Sequence, residues 1–245
     1  STVSGGAGNV ASGEYSTVGG GQSNTASGGS SSIGGGQNNT TSGDYYATVG
    51  GGSGNVASGD YSTVSGGYVN VASENGTTVS GGSGNIASLN YSTVSGGFEN
   101  TASGGSSTIV GGQLNTASGL RSTIGSGLSN TASGDYSTIS GGQYNTASLD
   151  NSTVGGGQYN IASGVNTTIS GGTINTASGN NSSILGGVSN TTSTFANSHI
   201  VGSNITSDRI NCTFVENLSI KSIPTSAVGL PSGSLWSNAG VINIV

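Results

Sequence analysis

The chain has 245 residues, of which 49 are Gly and only 5% are charged, and its formal net charge is −6. Lys and Arg together number three, so no cationic stripe exists to displace the counterions of a nucleic acid, and an anionic membrane surface is an equally poor partner. Disordered chains are usually rich in charge, so for this Gly-rich, charge-poor chain, order has to be argued from pattern.

Targeting and membrane signals are missing from the sequence. No stretch stays apolar for the roughly 18 residues that a membrane helix needs, so we expect no membrane insertion in this segment. No signal peptide opens the chain. The sequence contains no Met, so we expect it to be a processed product or part of a longer protein.

A 15-residue repeat begins at Ser1 and recurs as thirteen coils up to Asn197, with the consensus S-T-V/I-x-G-G-x-x-N-x-A-S-G-x-x. Position 3 is always Val or Ile, position 6 always Gly and position 12 always Ser. Position 11 is Ala except for Thr41 and Thr192. The third and thirteenth coils carry one extra residue each, and a damaged fourteenth piece, "SHIVGSNITS", begins at Ser198.

The repeat predicts an all-β fold. A period of 15 is too short for a pair of helices, and Gly disfavours helix. Two short β segments, "STVS" and "xNxAS", joined by Gly-containing corners, fit one coil. Stacked coils form a parallel β-solenoid or β-roll, in which Val or Ile at position 3 and Ala at position 11 make two interior columns. Gly at the corners is expected where the backbone needs positive φ or a close approach.

Position 9 is the most regular polar position, since it is Asn in every coil. Stacked amides form hydrogen-bonded ladders along the axis of parallel strands. A structural ladder is a better interpretation than a calcium site, because Asn lacks the charge that calcium favours. The predicted ladder consists of Asn9, Asn24, Asn39, Asn55, Asn70, Asn85, Asn100, Asn115, Asn130, Asn145, Asn160, Asn175 and Asn190.

Each coil offers only one Val or Ile and one Ala to the interior, which is a small core for a single chain. We therefore expect a homo-oligomer. We divide the chain into a solenoid shaft, residues 1–207, and a C-terminal module, residues 208–245. In that module "RINCTFVENLSIKSI" is a predicted strand and "SLWSNAGVINIV" a predicted hairpin, which form a cap or association module.

The coils resemble the head repeats of trimeric autotransporter adhesins. "STVSGGYVNVASENG" shares with that family a β-branched residue, a following Gly, and downstream Ala and Gly or Ser places, but it has 15 residues rather than 14 and places Asn where the family tends to have Ala. The resemblance implies a parallel β-roll and a homotrimer. The ending "IPTSAVGLPSGSLWSNAGVINIV" is similar to the C-termini of bacteriophage tail-fibre and related viral fibre proteins, which implies a virion or cell-surface location.

Residues for catalysis are scarce. His199 is the single histidine, and it lies in the damaged last coil. Asp135 and Asp150 occupy the same turn in consecutive coils, where a carboxylate is usually solvated or locally hydrogen-bonded, and a weak cation site is the alternative. We predict no enzyme activity, no cofactor and no metal.

Aromatic side chains are concentrated in the turns. Tyr15, Tyr45, Tyr61, Tyr91 and Tyr136 end their coils, whereas Tyr68, Phe98, Tyr144 and Tyr159 lie in the variable turn after Gly-Gly. Packing between chains is one interpretation. The other is a stripe that contacts a cell-surface glycan or receptor, for which Tyr68, Phe98, Tyr144 and Tyr159 are the candidates.

The sequence is compatible with three functions. The leading one is a structural fibre of a virion or cell surface that serves attachment or display. The second is an ice-binding solenoid, which is favoured by a column of threonines, Thr2, Thr17, Thr48 and Thr63. These threonines lie in an S-T-V context, however, and not on a T-x-T face. The third is a polysaccharide-degrading spike that uses a carboxylate pair such as Asp135 and Asp150.

Overall fold

The structure, a computed structural model, describes residues 1–219, 223–232, 234–238 and 241–244. The chain divides into two compact units, Ser1–Phe214 and Val215–Val245. The first unit holds every repeat, and the boundary expected after residue 207 lies inside it. All regular structure in the described residues is β, and the predicted parallel β-solenoid is confirmed.

Two long parallel sheets run through the coils, and nearly every coil gives one two-residue strand to each. The first sheet contains, in order, β1 (Thr2–Val3), β3 (Thr17–Val18), β5 (Ser32–Ile33), β7 (Thr48–Val49), β9 (Thr63–Val64), β11 (Thr78–Val79), β13 (Thr93–Val94), β15 (Thr108–Ile109), β17 (Thr123–Ile124), β19 (Thr138–Ile139), β21 (Thr153–Val154), β23 (Thr168–Ile169), β25 (Ser183–Ile184), β26 (Ser198–Val201) and β27 (Cys212–Val215). The second contains β2 (Val10–Ala11), β4 (Thr25–Ala26), β6 (Thr40–Thr41), β8 (Val56–Ala57), β10 (Val71–Ala72), β12 (Ile86–Ala87), β14 (Thr101–Ala102), β16 (Thr116–Ala117), β18 (Thr131–Ala132), β20 (Thr146–Ala147), β22 (Ile161–Ala162) and β24 (Thr176–Ala177).

Consecutive coils pair in strict register. In the first sheet Val64 lies beside Val79, and in the second Ala72 lies beside Ala87. A third line of single bridges joins position 7 of successive coils, beginning with Ala7 and Gln22, and the sequence had not indicated it. Parallel strands lie about 4.8 Å apart, so fourteen coils make a stack roughly 65 Å long.

The interior is built from four columns rather than two. From the second coil onward, Val or Ile at position 3 is fully buried, as is Ala at position 11, with Thr41 and Thr192 in its place in two coils. Ser or Thr at position 1 and Asn at position 9 are also buried, and the fourth coil has Ala47 at position 1. This burial is achieved within one chain. Covering the interior therefore needs no second chain, which removes the physical argument for association that core size had suggested.

The asparagines form a continuous buried column from Asn24 to Asn190. Asn100 shows the pattern: its Nδ2 donates to the carbonyls of Gly96 at 3.1 Å and Gly112 at 2.9 Å. Its Oδ1 accepts from the backbone N–H of Asn115 at 3.1 Å and from the Asn115 Nδ2 at 3.0 Å. Each amide thus satisfies backbone groups at the glycine corner that the two sheets leave unpaired, as buried polar groups require.

The segment "SHIVGSNITS" begins a fourteenth coil, which has one residue fewer between positions 3 and 6. Gly202 supplies the corner carbonyl that accepts from Asn190 Nδ2 at 2.7 Å. Ile205 takes the place of Asn, and its backbone N–H donates to Asn190 Oδ1 at 3.1 Å. The amide ladder therefore ends at Asn190 while the coils continue into β27.

Glycine at position 6 is required by geometry. Gly112 has a φ of +91°, and a Cβ placed on it would lie 2.2 Å from the carbonyl oxygen of Gly127 in the next coil. The preceding Gly111 has open space around such a Cβ. Only the second glycine of the corner is therefore fixed by close stacking of the coils.

The second unit, Val215–Val245, contains the expected hairpin. Strand β28 (Leu235–Asn238) pairs antiparallel with β29 (Val241–Ile244), so that Trp236 faces Asn243 in the register. The Ser237 N–H donates to the carbonyl of Pro224 at 2.8 Å. The turn residues 239–240 lie outside the described residues, as do residues 220–222 of the predicted strand.

The two glycines of one corner give a matched test. In Gly112→Ala the new Cβ collides with a backbone carbonyl, and alanine has to adopt an unfavourable positive φ. We therefore expect this substitution to lower the free energy of unfolding by at least about 2 kcal/mol. Gly111→Ala should change it by less than about 0.5 kcal/mol. Urea denaturation followed by circular dichroism measures both, and equal effects would contradict the stacking argument.

The amide ladder is tested in the middle of the shaft. Asn100→Ala leaves the Asn115 N–H and the Gly96 carbonyl without partners, so we expect a loss of about 3 kcal/mol in unfolding free energy. Gln113→Ala, at an exposed position of the next coil, is the control and should cost less than about 0.5 kcal/mol. A loss for Asn100→Ala no larger than the control's would show that the ladder does not stabilise the fold.

Candidate functional site

The outward corners of the coils carry the variable residues. Every residue at positions 8 and 15, from the first coil to the thirteenth, has a left-handed backbone; Tyr144 and Tyr159 at position 8 both have a φ of 56°. This conformation suits Gly and Asn and is unusual for bulky side chains. At these corners the side chains lie outside the closed interior, so substitution there leaves the four buried columns intact.

The four predicted surface contacts fall into two separate columns. Tyr68 and Phe98 are at position 7, where Ser83 separates them in the line of bridges. Tyr144 and Tyr159 are at position 8 of adjacent coils, and their rings stack with centroids 4.9 Å apart and planes 7° apart. All four are exposed. The four side chains do not converge on one site, because residues at position 7 and residues at position 8 stack in different columns.

A more extensive aromatic column lies at position 15. Its members, all exposed, are Tyr15, Tyr46, Tyr61, Tyr91 and Tyr136. The extra residue of the third coil, Tyr45, adds a sixth ring, and Tyr61 stacks against both neighbours, 6.4 Å from Tyr45 and 5.7 Å from Tyr46. Arg121 continues the column, with its guanidinium carbon 5.6 Å from the ring centroid of Tyr136.

The turn carboxylates are hydrogen-bonded to the backbone of a neighbouring coil. Asp60, Asp135 and Asp150 each accept a hydrogen bond from a backbone N–H in the preceding coil. For Asp135 the donor is Leu120, at 2.9 Å. Asn180 makes the same bond to the N–H of Val165 at 3.0 Å, so the position needs an oxygen acceptor rather than a charge. This geometry favours a capping role for Asp135 and Asp150 over a catalytic pair.

His199 lies at position 2 of the fourteenth coil, next in its column to Ser183. The hydroxyl of Ser183 and Nδ1 of His199 are 2.8 Å apart. Both residues belong to paired strands of the first sheet, β25 and β26. The contact is a cross-strand pair of the kind that stabilises sheets.

Charged groups are sparse elsewhere on the surface. Asp208 and Arg209 form an exposed ion pair, 2.6 Å between Oδ1 and Nε, and the hydrogen bond from Arg209 lowers the pKa of Asp208.

Within the described residues no three His, Cys, Asp or Glu side chains gather as a metal site would require. That same part of the chain includes no helix with the length and apolarity to cross a membrane.

A family model matches part of the chain. Residues 92–104, most of the seventh coil, match the family described as the ubiquitous surface protein adhesin repeat. No curated protein matches the chain. The match covers one coil of the stack, and it agrees with the resemblance to adhesin head repeats. It does not reach the C-terminal unit, whose similarity to tail fibres remains an expectation. This chain is thus similar, over a single coil, to a repeat of surface adhesins.

Proposed function

We propose that this chain is the shaft of a fibre displayed on a virion or cell surface, where it holds a contact surface away from its base and performs no catalysis. The observation that carries the proposal is the strict column structure. Val or Ile, Ala, Ser and Asn repeat inside, and variation is concentrated at outward positions. The adhesin-repeat match in the seventh coil supports a surface location.

The physical properties of the coils suit a spacer. Each buried Asn is hydrogen-bonded to both neighbouring coils, and strands β1 to β26 pair coil to coil without a break. None of the buried residues in the described part carries a charge. A stack of this kind resists bending and proteolysis, because backbone hydrogen bonds join each coil to the next along its length.

We further propose that the shaft works as a homotrimer, as the resemblance to adhesin head repeats implies. Because one chain closes its own interior, association has to use outward faces. The outward column of the second sheet is uncharged and largely β-branched, with Val56, Val71, Ile86 and Thr101 in consecutive coils. This uncharged face is the proposed contact between chains.

The outward threonines support a second candidate function, binding to ice. Thr63, Thr78 and Thr93 lie at position 2 of the first sheet, in register and half-buried, with Ser at position 4 of the same coils. These are ranked hydroxyl groups on a regular sheet. Thermal hysteresis with ice shaping would assign that role in place of the fibre.

Solution mass tests the trimer. Light scattering coupled to size exclusion should give three times the mass of one chain. Ile86→Glu places a charge on the proposed contact face and should lower the mass to that of one chain, because an interfacial charge without a partner is unfavourable.

Ser95→Glu, on the outward face of the first sheet, is the matched control and should keep the trimer. A wild-type chain that is monomeric at all concentrations contradicts the trimer. Labelling of intact particles or cells with an antibody against the shaft tests the surface location independently. Signal only after permeabilisation would contradict the proposed fibre.

A further inference from the structure

The position 15 column contains an aromatic cleft. We propose that Tyr15 and Tyr46 form the two walls of a binding site for a neutral oligosaccharide. The cleft has a volume of about 490 Å³, within the range of about 300–1,000 Å³ found for small-molecule sites. The proposal takes its biological setting from the proposed attachment function, but the site stands on its own geometry.

The gap exists because the second coil has small residues where its neighbours have tyrosine. Gly29 and Ser30 lie between the first and third coils and line the cleft. Tyr15 and Tyr46 are therefore two coils apart, roughly 10 Å at two strand spacings. A sugar ring between two aromatic rings needs two contacts of about 4.0–4.5 Å, so the separation suits one ring between the walls.

The wall on the Tyr46 side is preorganised. Tyr61 stacks on Tyr46 with centroids 5.7 Å apart, and it also stacks on Tyr45 at 6.4 Å. Tyr61 thus supports both rings, which lowers the entropy that they lose on binding a ligand. The stack owes its third ring to the extra residue of the third coil.

The backbone does not explain these tyrosines. Tyr15 and Tyr46 have φ values of 57° and 52°, where Asn and Gly are the favoured residues. Coils ten to twelve indeed have Asn151, Asn166 and Asn181 at this position. The same backbone accepts Asn in those coils, so folding alone does not require tyrosine at this position.

The lining determines the class of ligand. The phenol rings offer apolar faces and hydroxyl groups, as sugar rings require of an amphipathic partner. Glu14 and Asp44 add carboxylates, which accept hydrogen bonds from hydroxyl groups and repel anions. No lining residue is cationic. A neutral, hydroxyl-rich ligand fits this combination, and a sialylated or sulfated one does not.

The decisive variant fills the gap with a residue that the column already tolerates. Ser30→Tyr places a ring between Tyr15 and Tyr46, and the fold should persist because tyrosine occupies position 15 in five other coils. The matched control, Ser106→Tyr, adds a ring at the same position between Tyr91 and Arg121, away from the cleft. Circular dichroism and thermal unfolding of both variants check the fold.

Binding is measured by saturation-transfer NMR and calorimetry on the full chain. The neutral probes are cellotetraose, chitotetraose, lacto-N-neotetraose and lactose, and the anionic probe is 3′-sialyllactose. At least one neutral probe should bind in the millimolar range or tighter. The affinity should fall at least tenfold in Ser30→Tyr and in Tyr15→Ala/Tyr46→Ala, and remain unchanged in Ser106→Tyr.

Three results would overturn the proposal: no neutral probe binding to the wild type at millimolar concentration, equal binding to Ser30→Tyr, or stronger binding of sialyllactose than of lactose. Each of these would leave the surface location and mass of the fibre untouched. Failure of this site is therefore distinguishable from failure of the proposed function.

Discussion

Each residue of a coil lies about 4.8 Å from its counterpart in the next coil, and this spacing constrains the whole shaft. At that distance a residue has to be compatible with the residue stacked above it. Val64 and Val79 pack directly, and Asn100 and Asn115 hydrogen-bond through their side chains. At Gly112 the approach is so close that even one Cβ would collide with a carbonyl.

The same spacing divides the positions of a coil into those that the fold constrains and those that are free to contact a partner. Buried columns have to repeat, so they carry no information that a partner can recognise. The corners around positions 7–8 and 13–15 point outward and tolerate change, and the aromatic and charged residues of the coils lie mainly there. Proposed contacts such as the Tyr15–Tyr46 cleft arise from a difference between neighbouring coils, here small residues in the second coil.

Much of the shaft was predictable from sequence, because residues that repeat every 15 positions are the ones that stack on one another in successive coils. The columns at positions 3 and 11 and the parallel solenoid followed from which residues repeat. Other features were not predictable. Ser at position 1 is polar and gave no sign that it closes the interior, yet Ser62 is buried with its hydroxyl bonded to the carbonyl of Gly59 at 2.6 Å. The fourteenth piece looked damaged in the sequence because Ile205 stands where the consensus has Asn, yet the backbone N–H of Ile205 still donates to Asn190 Oδ1.

The surface was less predictable than the core. Tyr68 and Tyr144 look equivalent in a variable turn, but one position of offset places them in different columns. The cleft depends on residues 30 apart or more in sequence, Tyr15 and Tyr46, and on the backbone at Gly29. Only the stacking of coils brings such residues together.

Disulfide trapping tests the in-register stack most directly. In a Cys212→Ser background, Thr93→Cys with Thr108→Cys places two thiols on neighbouring strands, at a separation a disulfide can span. Thr93→Cys with Thr123→Cys places them two coils apart, roughly 10 Å, which a disulfide cannot span. Mild oxidation followed by mass spectrometry should show an intrachain bond in the first pair only. A bond in the second pair, or none in the first, would contradict the stacked register on which the fold, the ladder and the cleft all depend.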